Sequence, residues 1–460
     1  MALDPSIVDR LRAVVGAAFV RTDAETCAAY GVDALKRGHP ADAVVTPAST
    51  DEIAKVARIC SDTRTPLVPR GAGTGYTGGA VPIQGGVVLS LERLNRILEI
   101  DQENLLAVVE PNVVTGDLQD AVERVGLFYP PDPASLRQSV IGGNVAENAG
   151  GPRAFKYGVT RQYVLGLEAV LASGDVIRTG GKVVKNVVGY DLTQLLTGSE
   201  GTLAIITRIT LRLIPKPPAR ATLRATFADV TAAVDAVTRL IGHRVIPATL
   251  ELIDAESLLA VSTYLNGRAL APPGTGALLL IEVDGLPELV AAEALRVAEA
   301  CRDSGATEIL RAADERERDE LWAVRREISP SLRVITSLKF NHDVVVPRAR
   351  IPQLFALIET MRRTFSLRIP CFGHVGDGNI HVNIMVSPDD PAEIARAHEA
   401  ERALFEGVIS LEGSISGEHG IGFSKAPFLS LELSPPTIAA MRAVKQAFDP
   451  LGILNPGKIF

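Results

Sequence analysis

The stretch Cys371–Ile384, which reads CFGHVGDGNIHVNI, has two apolar, β-rich arms on either side of an Asp-Gly pair. Such a pair between such arms predicts a tight β-hairpin. With Asp377 and Gly378 as the two turn residues, His374 lies directly opposite His381, and their Cβ atoms are about 4.5–5.5 Å apart. Two imidazoles at that spacing can bind one metal ion. The alternative is a hairpin that carries two structural histidines.

A third histidine lies in a similar glycine-rich setting, the segment Ser416–Gly420, which reads SGEHG. The chain has only seven histidines. Asn383, two residues after His381, points to the same face of the predicted hairpin. These residues are the candidates for a metal or catalytic site.

Length and composition exclude several classes of protein. A chain of 460 residues predicts two domains, and its 47% hydrophobic content is ample for a core. The net charge of −7, with the signs interspersed, argues against nucleic acid as a partner. No stretch approaches the roughly 18 apolar residues of a membrane span, and no signal peptide is visible, so we expect a cytoplasmic protein. The four cysteines are scattered and form no C-x-x-C pair, which argues against a disulfide framework and an iron–sulfur cluster.

A glycine-rich loop, Arg70–Ala80, follows a predicted strand and has five glycines in eleven residues. Glycines let bare backbone N–H groups approach an anion, so the loop predicts a diphosphate cradle. A nicotinamide-binding Rossmann loop requires a helix directly afterwards. Here Val81–Gly86 leads into another strand, so the Rossmann interpretation fails. A purely structural glycine-rich loop remains the alternative.

Two further segments indicate the organisation of the chain. Tyr129–Tyr163 is long, rich in Gly, Asn and Pro, and predicted to have little regular structure, which in a compact domain is typical of a functional segment. Pro215–Pro218 is the clearest linker signal. After it, strands and helices alternate in the order βαββαβ, which predicts a ferredoxin-like antiparallel sheet covered on one face by helices.

Several motifs, in this order and spacing, resemble a known family: PRGAGTGYTGG, PPDPAS, IGGNVAENAGG, KYGVT, VVKNVVGYDL and GSEGTL. They resemble the flavin-binding domain of the vanillyl-alcohol-oxidase superfamily, in the branch of the glycolate oxidase catalytic subunit, D-lactate dehydrogenase and D-2-hydroxyglutarate dehydrogenase. The resemblance implies an α+β fold with a two-lobed FAD-binding domain of the PCMH type over residues 1–215. A ferredoxin-like substrate or cap domain would follow over 216–460, and its tail, from about residue 412, would return to the flavin.

The resemblance also implies which residues bind FAD. In the glycine-rich loop these are Arg70, Gly71, Ala72, Gly73, Thr74, Gly75, Thr77, Gly78 and Gly79. Those lining the flavin are Pro131, Gly142, Gly143, Asn144, Glu147, Asn148, Gly150, Gly151, Gly201, Ile206 and Asn455. Some relatives attach FAD through a His or Cys near these loops. No such residue lies between Cys60 and His243, so we expect FAD to be bound non-covalently.

The second half supplies the remaining site residues implied by the resemblance. The substrate-binding residues are Arg325, Ser329, Lys339 and Asn383. His374, His381 and Glu418 would bind a divalent metal, zinc first, with manganese or iron as alternatives, and His419 would be the catalytic base. His342 occurs where many relatives carry an acidic residue.

The function implied is oxidation of a small D-2-hydroxy acid, such as D-lactate, glycolate or D-2-hydroxyglutarate, to the 2-oxo acid by hydride transfer to flavin N5. Electrons would pass to an acceptor such as a separate iron–sulfur or electron-transfer protein, which could also bring the chain to a membrane surface. The alternatives are a non-catalytic flavin-carrying subunit, which would lack the complete histidine and glutamate set, and a sugar or lactone oxidase.

Overall fold

The computed structural model describes residues 3–268 and 270–460. The chain divides into two compact units. The first unit contains residues up to Gly150, then Val159–Lys216 and Glu418–Phe460, and the second contains Gly151–Gly158 and Pro217–Gly417. No helix in the described ranges is both long and apolar enough to cross a membrane.

The first unit has two main sheets and one short strand pair. Its strands are β1 (Val20–Arg21), β2 (Ala43–Val45), β3 (Leu67–Arg70), β4 (Val87–Ser90), β5 (Ile97–Asp101), β6 (Leu106–Val109), β7 (Leu127–Phe128), β8 (Val164–Val170), β9 (Val176–Gly180), β10 (Ile205–Arg212) and β11 (Ile214–Pro215). One sheet has the order β1-β2-β4-β3, and β2, β4 and β3 run parallel. The other is antiparallel, with the order β5-β6-β10-β8-β9. Each sheet has its own apolar core, which gives the two lobes that the resemblance implies.

Helices cover these sheets: α1 (Pro5–Val15), α2 (Ala24–Ala29), α3 (Thr50–Thr63), α4 (Thr115–Glu123) and α5 (Ile141–Glu147). After α6 (Ala154–Tyr157), which belongs to the second unit, comes α7 (Leu192–Leu196). The α3 helix shows why these segments are helical. The Ser49 side chain accepts a hydrogen bond from the Glu52 N–H, an N-cap, and apolar residues at helical spacing fill the core.

Two predictions for the first unit can be checked directly. No helix lies between β3 and β4, so exclusion of the Rossmann loop is confirmed. The expectation of little regular structure over Tyr129–Tyr163 was wrong, because α5 forms within the glycine-rich motif. Its N-terminal turn fits closely: the Gly142 N–H donates to the Pro111 carbonyl, and a Cβ on Gly142 would lie 2.6 Å from the Pro111 side chain.

The second unit is built on one antiparallel sheet. Its strands are β12 (Ala219–Phe227), β13 (Thr249–Asp254), β14 (Ala277–Gly285), β15 (Glu308–Arg311), β16 (Leu338–Val345), β17 (Cys371–His374) and β18 (Asn379–Val386). The order is β15-β12-β14-β13-β17-β18-β16. The first four strands are those of the predicted βαββαβ unit, and the predicted hairpin and its neighbour extend the same sheet.

The helices of this unit are α8 (Val230–Gly242), α9 (Ala255–Tyr264), α10 (Pro287–Asp303), α11 (Glu315–Arg326), α12 (Ile328–Ser331), α13 (Ile351–Phe365) and α14 (Pro391–Ser410). The first unit resumes with α15 (Leu429–Glu432) and α16 (Pro435–Phe448). Single 3₁₀ turns occur at Ala17–Phe19, Thr160–Tyr163, Leu332–Val334, Arg348–Arg350 and Ala426–Phe428. The prediction that helices cover one face of the sheet was wrong. Successive residues of β14 are all buried from Ala277 to Asp284, and because alternate residues face opposite sides, both faces are covered.

The hairpin forms, but not with the predicted turn. His374 pairs with Asn379, and Phe372 pairs with His381, so four residues rather than two connect the strands. The loop is held from outside the hairpin: the Val346 N–H donates to the Gly378 carbonyl. Gly378 has φ +91°, and a Cβ there would lie 2.0 Å from the Val346 carbonyl oxygen. This register differs from the predicted one by two residues, so each side chain keeps its face of the sheet.

Candidate active site

The glycine-rich loop of the first unit lies among the other motifs expected to bind flavin. The position of a Cβ on Gly71 is 3.9 Å from the Gly143 backbone nitrogen. A Cβ on Gly79 would lie 2.8 Å from Glu147 Oε1, and one on Gly201 would lie 3.3 Å from the Pro69 ring. These contacts bring the three motifs to one place in the unit.

The C-terminal tail closes over the same loop. Asn455 Nδ2 donates to the carbonyls of Gly79 and Glu200, both at 2.7 Å. Lys458 Nζ donates to the Val81 carbonyl at 2.7 Å, and the Ile459 N–H donates to the Gly422 carbonyl. The tail after α16 therefore positions Asn455 against the end of the loop.

His419 also lies against this loop. Its ring centroid is 5.3 Å from that of Tyr76, and its backbone carbonyl accepts a hydrogen bond from Thr77 Oγ1 at 3.0 Å. The Phe423 N–H donates to the Thr77 carbonyl at 3.1 Å, and a Cβ on Gly78 would lie 2.0 Å from the Phe423 ring. The candidate base and the candidate diphosphate cradle thus belong to one packed substructure.

The buried Glu200 carboxylate holds the segment after His419 in place. Glu200 accepts hydrogen bonds from the backbone N–H groups of Ile421 at 2.8 Å and Gly422 at 2.7 Å. Burial raises the pKa of Glu200, and these two N–H groups partly offset that effect. A Cβ on Gly420 would lie 2.1 Å from Glu147 Oε2 and 3.0 Å from Glu200 Oε1. Both acids therefore pack against the turn directly after His419.

The loop fits a bound diphosphate group. A Cβ on Gly75 would meet nothing within 4 Å, so the middle of the loop is open to a ligand. Arg70 Nη1 and Asn455 Oδ1 are buried, and neither has a hydrogen-bond partner among the described residues. Buried polar atoms are nearly always paired, so two such atoms around this loop fit a site completed by a polar ligand. A cleft of about 280 Å³ opens beside Arg70, lined by Ala29, Tyr30, Arg70, Gly71, Ala72, Glu92 and Asn112.

The other residues expected to bind flavin are distributed as follows. The Pro131 carbonyl accepts from Gln119 Nε2 at 2.9 Å, and Asn144 Nδ2 donates to Thr115 Oγ1 at 2.7 Å. Asn148 ends α5 in the left-handed conformation, and its side-chain oxygen accepts from the Arg161 N–H. Ile206 is buried in β10. Gly151 falls in the second unit.

In the second unit, His374 and His381 lie on the same face of the β17–β18 hairpin. Their ring centroids are 5.3 Å apart and their planes are nearly perpendicular, at 86°. Both side chains are buried. In this register His381 lies diagonal to His374, two residues beyond its direct partner Asn379.

β17 pairs with β13 on the edge that faces away from β18, and there Glu251 is the direct partner of His374. The Glu251 side chain is wholly buried. Its Oε1 is 2.5 Å from His374 Nδ1, and its Oε2 accepts hydrogen bonds from Arg325 through Nε at 2.9 Å and through Nη2. Burial alone raises the pKa of Glu251, but Arg325 and His374 outweigh burial and lower it to about 2. Arg325 also stacks over the Phe372 ring, 4.9 Å from its centroid.

The other candidate substrate residues lie on or above the same side of the sheet. Lys339 Nζ donates to Ser329 Oγ at 2.8 Å. Asn383 is fully buried, and its Oδ1 accepts from Asn341 Nδ2 at 2.6 Å across the β16–β18 pair. Ser329 lies in α12, one residue beyond its start, after the α11 helix that contains Arg325 has ended.

His342 belongs to the opposite face of β16. Its neighbour Asp343 pairs with His381, so His342 itself points away from the paired histidines. It packs against α14, where its ring centroid is 5.0 Å from that of Phe405 and its Nε2 is 3.3 Å from Glu401 Oε1.

Asp343 anchors the segment that leads to Glu418. Its Oδ2 accepts from the Gly417 N–H at 2.8 Å, and Ser414 pairs with Val345 of the same strand. Gly417 is the last residue of this unit, and Glu418 follows it directly in the sequence. His374, His381 and Glu418 each offer one ligand atom, and these atoms all lie within 4.8 Å of one another. Two imidazoles and a carboxylate this close suit one divalent ion, with coordination positions left for other ligands.

Sequence reasoning did not identify Glu251, Asp343 or Asn341. A signal existed for Glu251, because it is an acidic residue in the middle of the apolar strand Thr249–Asp254. A charged residue in such a pattern is almost never buried unless it is paired.

Comparison with known proteins identifies the family. A sequence profile described as "FAD linked oxidases, C-terminal domain" matches residues 216–459, more than half of the chain. The chain belongs to the FAD-linked oxidases. A second profile, described as "FAD binding domain", matches residues 41–180 of this FAD-linked oxidase and includes the glycine-rich loop. FAD is therefore its cofactor, and the enzyme is an oxidoreductase.

Similar proteins cover nearly the whole FAD-linked oxidase. It is 46% identical to the glycolate oxidase subunit GlcD of Bacillus subtilis (strain 168), over 91% of this chain and 89% of that protein. It is 36% identical to the D-lactate dehydrogenase of Anaerostipes hadrus, with 91% and 89% covered. It is 35% identical to the D-2-hydroxyglutarate dehydrogenase of Stutzerimonas stutzeri (strain A1501), with 99% of each covered.

A solved structure shows the fold. The crystal structure of p-cresol methylhydroxylase has a TM-score of 0.84 over 99% of this FAD-linked oxidase and 96% of that chain, at 20% identity. The vanillyl-alcohol-oxidase fold and the branch inferred from the motifs are confirmed.

Proposed function

We propose that this protein oxidises a D-2-hydroxy acid to the corresponding 2-oxo acid, with non-covalent FAD as hydride acceptor and a divalent metal ion at His374, His381 and Glu418. The observation that carries the proposal is the grouping of these three side chains, with His419 next in sequence to the third. The names of the relatives support the substrate class, since they specify glycolate, D-lactate and D-2-hydroxyglutarate.

The substrate carboxylate is assigned to Arg325 and Lys339. Arg325 has a planar guanidinium that suits a carboxylate, although two of its donors already bind Glu251. Lys339 is half-buried, and it is held by Ser329, which fixes its ammonium group above the sheet. The side chains of Asn383 and Asn341 are hydrogen-bonded to each other. Asn383 lies two residues after His381, so this amide pair lies on the same face of the sheet as His381.

His419 removes the proton of the substrate hydroxyl group. An imidazole near neutral pH is suited to that step. Its backbone carbonyl accepts a hydrogen bond from Thr77 and its ring lies beside that of Tyr76, so the base is in contact with the glycine-rich loop. When bound, FAD supplies a two-electron acceptor, and a divalent ion supplies Lewis acidity toward the substrate oxygens.

Reoxidation of the flavin requires an electron acceptor. The four cysteines are all buried, and they lie far apart in sequence. We therefore place any iron–sulfur cluster on a separate electron-transfer protein, and quinones and cytochromes are the other candidate acceptors.

One spectroscopic experiment tests the proposal. The purified protein is mixed anaerobically with D-lactate, glycolate, D-2-hydroxyglutarate, a sugar or a lactone, each separately, before and after removal of metal by a chelator. We expect the flavin bands to bleach with at least one hydroxy acid. The rate of bleaching should be much lower after chelation, and it should recover when zinc or manganese is added. Bleaching only by a sugar or lactone would establish the rival oxidase, and no bleaching by any of these compounds would indicate a non-catalytic flavin subunit.

A further inference from the structure

We propose that Glu251 is a positioning residue that fixes both the metal-facing orientation of His374 and the orientation of Arg325. This inference rests on the proposed function, because it gives His374 and Arg325 the roles stated above. Glu251 belongs to neither the predicted metal ligands nor the predicted substrate contacts, and its carboxylate joins the two groups.

The contacts of Glu251 are divided between two partners. Its Oε1 faces His374 Nδ1, and its Oε2 faces the edge of the Arg325 guanidinium. The three side chains are at most 7% exposed. Strand pairing keeps the first contact in place, because Glu251 and His374 are direct partners in the β13–β17 ladder. The Arg325 contact is confined by the stacking of its guanidinium over the Phe372 ring.

The first contact determines which imidazole nitrogen can bind a metal. A carboxylate accepts hydrogen bonds and cannot donate one, so Nδ1 carries a proton toward Glu251. The lone pair of Nε2 is then available to an ion. A metal-binding histidine typically donates its other N–H to a carboxylate or carbonyl, and loss of that partner costs roughly 10–100-fold in metal affinity.

The second contact holds Arg325 in one plane. A side chain with so many rotatable bonds adopts one orientation only when its surroundings fix it. Since the same carboxylate holds His374, a change at Glu251 alters both the metal ligand and the arginine. Neither effect requires Glu251 to touch the substrate.

The chain offers a matched control. Glu282 is also a buried strand glutamate in the same sheet, on the neighbouring strand β14. It accepts hydrogen bonds from Thr222 Oγ1 at 2.7 Å and Trp322 Nε1 at 3.2 Å, and neither partner is a candidate ligand. Glu282→Gln therefore measures the general effect of neutralising a buried glutamate in this sheet.

The test uses the full flavoprotein, stripped of metal and titrated with zinc and, separately, with manganese. We expect Glu251→Gln to weaken metal binding 10–100-fold and to raise the KM for the hydroxy acid, and Glu282→Gln to change metal affinity less than threefold. Flavin content checks that each variant is folded. Equal metal affinity for Glu251→Gln and the wild type would overturn the role of Glu251 and leave the proposed function intact. A wild type that binds no metal would instead overturn the proposed function.

A second measurement needs no Glu251 variant, and so remains valid if that variant does not fold. In the metal-stripped wild type labelled with ¹⁵N-histidine, the His374 signals are identified by their loss in His374→Asn. We expect Nδ1 of His374 to carry a proton. An unprotonated Nδ1 would overturn the inference.

Discussion

His374 and His381 have ring centroids 5.3 Å apart on one face of the β17–β18 hairpin, although they are not direct partners in its ladder. Their proximity depends on the face they share and on a diagonal offset of two residues. Diagonal neighbours in a sheet are farther apart than direct partners, but long side chains still meet. The site can therefore form in this register as well as in the predicted one.

Replacing His381 with alanine should abolish binding of the proposed metal ion without removing the flavin. The glycine-rich loop lies in the first unit and His381 in the second. We expect bound metal to fall from about one per chain to nearly none, and kcat to fall about 10²–10⁴-fold, the range given by several kcal/mol of lost Lewis-acid stabilisation. Metal analysis and flavin absorbance check this, with His398→Ala, an exposed histidine on α14, as the control. Undiminished metal in His381→Ala would contradict the assignment.

Gly75→Ala separates the ligand-binding role of the glycine-rich loop from its structural role. A Cβ at Gly75 meets no atom of the chain within 4 Å, so the apoprotein should keep its stability. Bound diphosphate would meet the added methyl group, so we expect FAD affinity to fall at least tenfold. Gly242→Ala, which also has open space, is the control and should bind FAD normally. Flavin titration and thermal unfolding measure both effects, and unchanged FAD affinity in Gly75→Ala would show that the diphosphate lies elsewhere.

Lys339→Met should weaken substrate binding more than it slows turnover. A charge-assisted hydrogen bond contributes about 1.5–3 kcal/mol, which corresponds to roughly a 10–100-fold increase in KM. Arg326→Met removes an exposed cation from α11 and should leave KM unchanged. Steady-state kinetics with the accepted hydroxy acid distinguish the two, and a Lys339→Met enzyme with wild-type KM would exclude Lys339 from the substrate site.

Lys458 should make stability depend on pH in the alkaline range. Burial lowers its pKa from 10.5 to about 8, despite the opposing effects of Glu200 and Asp33. Between these two values the unfolded chain holds a proton that the folded chain has released, so the free energy of unfolding rises with pH.

Relative to Lys458→Met, the wild type should therefore gain stability from pH 7.5 to pH 10, by on the order of 2 kcal/mol. Denaturant unfolding at both pH values measures the difference. Lys55→Met, which removes an exposed lysine from α3, is the control and should show no such change. Parallel behaviour of the wild type and Lys458→Met would mean that folding does not lower the pKa of Lys458.

Much of the fold could be predicted because its signals are local. The linker at Pro215–Pro218 and the βαββαβ order were readable from hydrophobic periodicity and turn residues, and four strands of the second sheet follow that order. The α9 helix was missed, since it follows β13 without any break: Asp254 ends the strand and caps the helix. The predicted hairpin turn was also wrong: four residues connect the strands, and the loop accepts a hydrogen bond from Val346, which lies outside the hairpin.

By itself, the sequence determined the residue types of the site and the family, since glycine spacing, paired histidines and the Glu-His pair are local patterns. Tertiary structure alone decided what those residues touch. Glu251 faces His374 across 123 positions of sequence, and Asn455 binds the Gly79 carbonyl across 376. Strand register and the path of the tail determine such partners. Both depend on the packing of the whole unit, so the contacts leave no local pattern in the sequence.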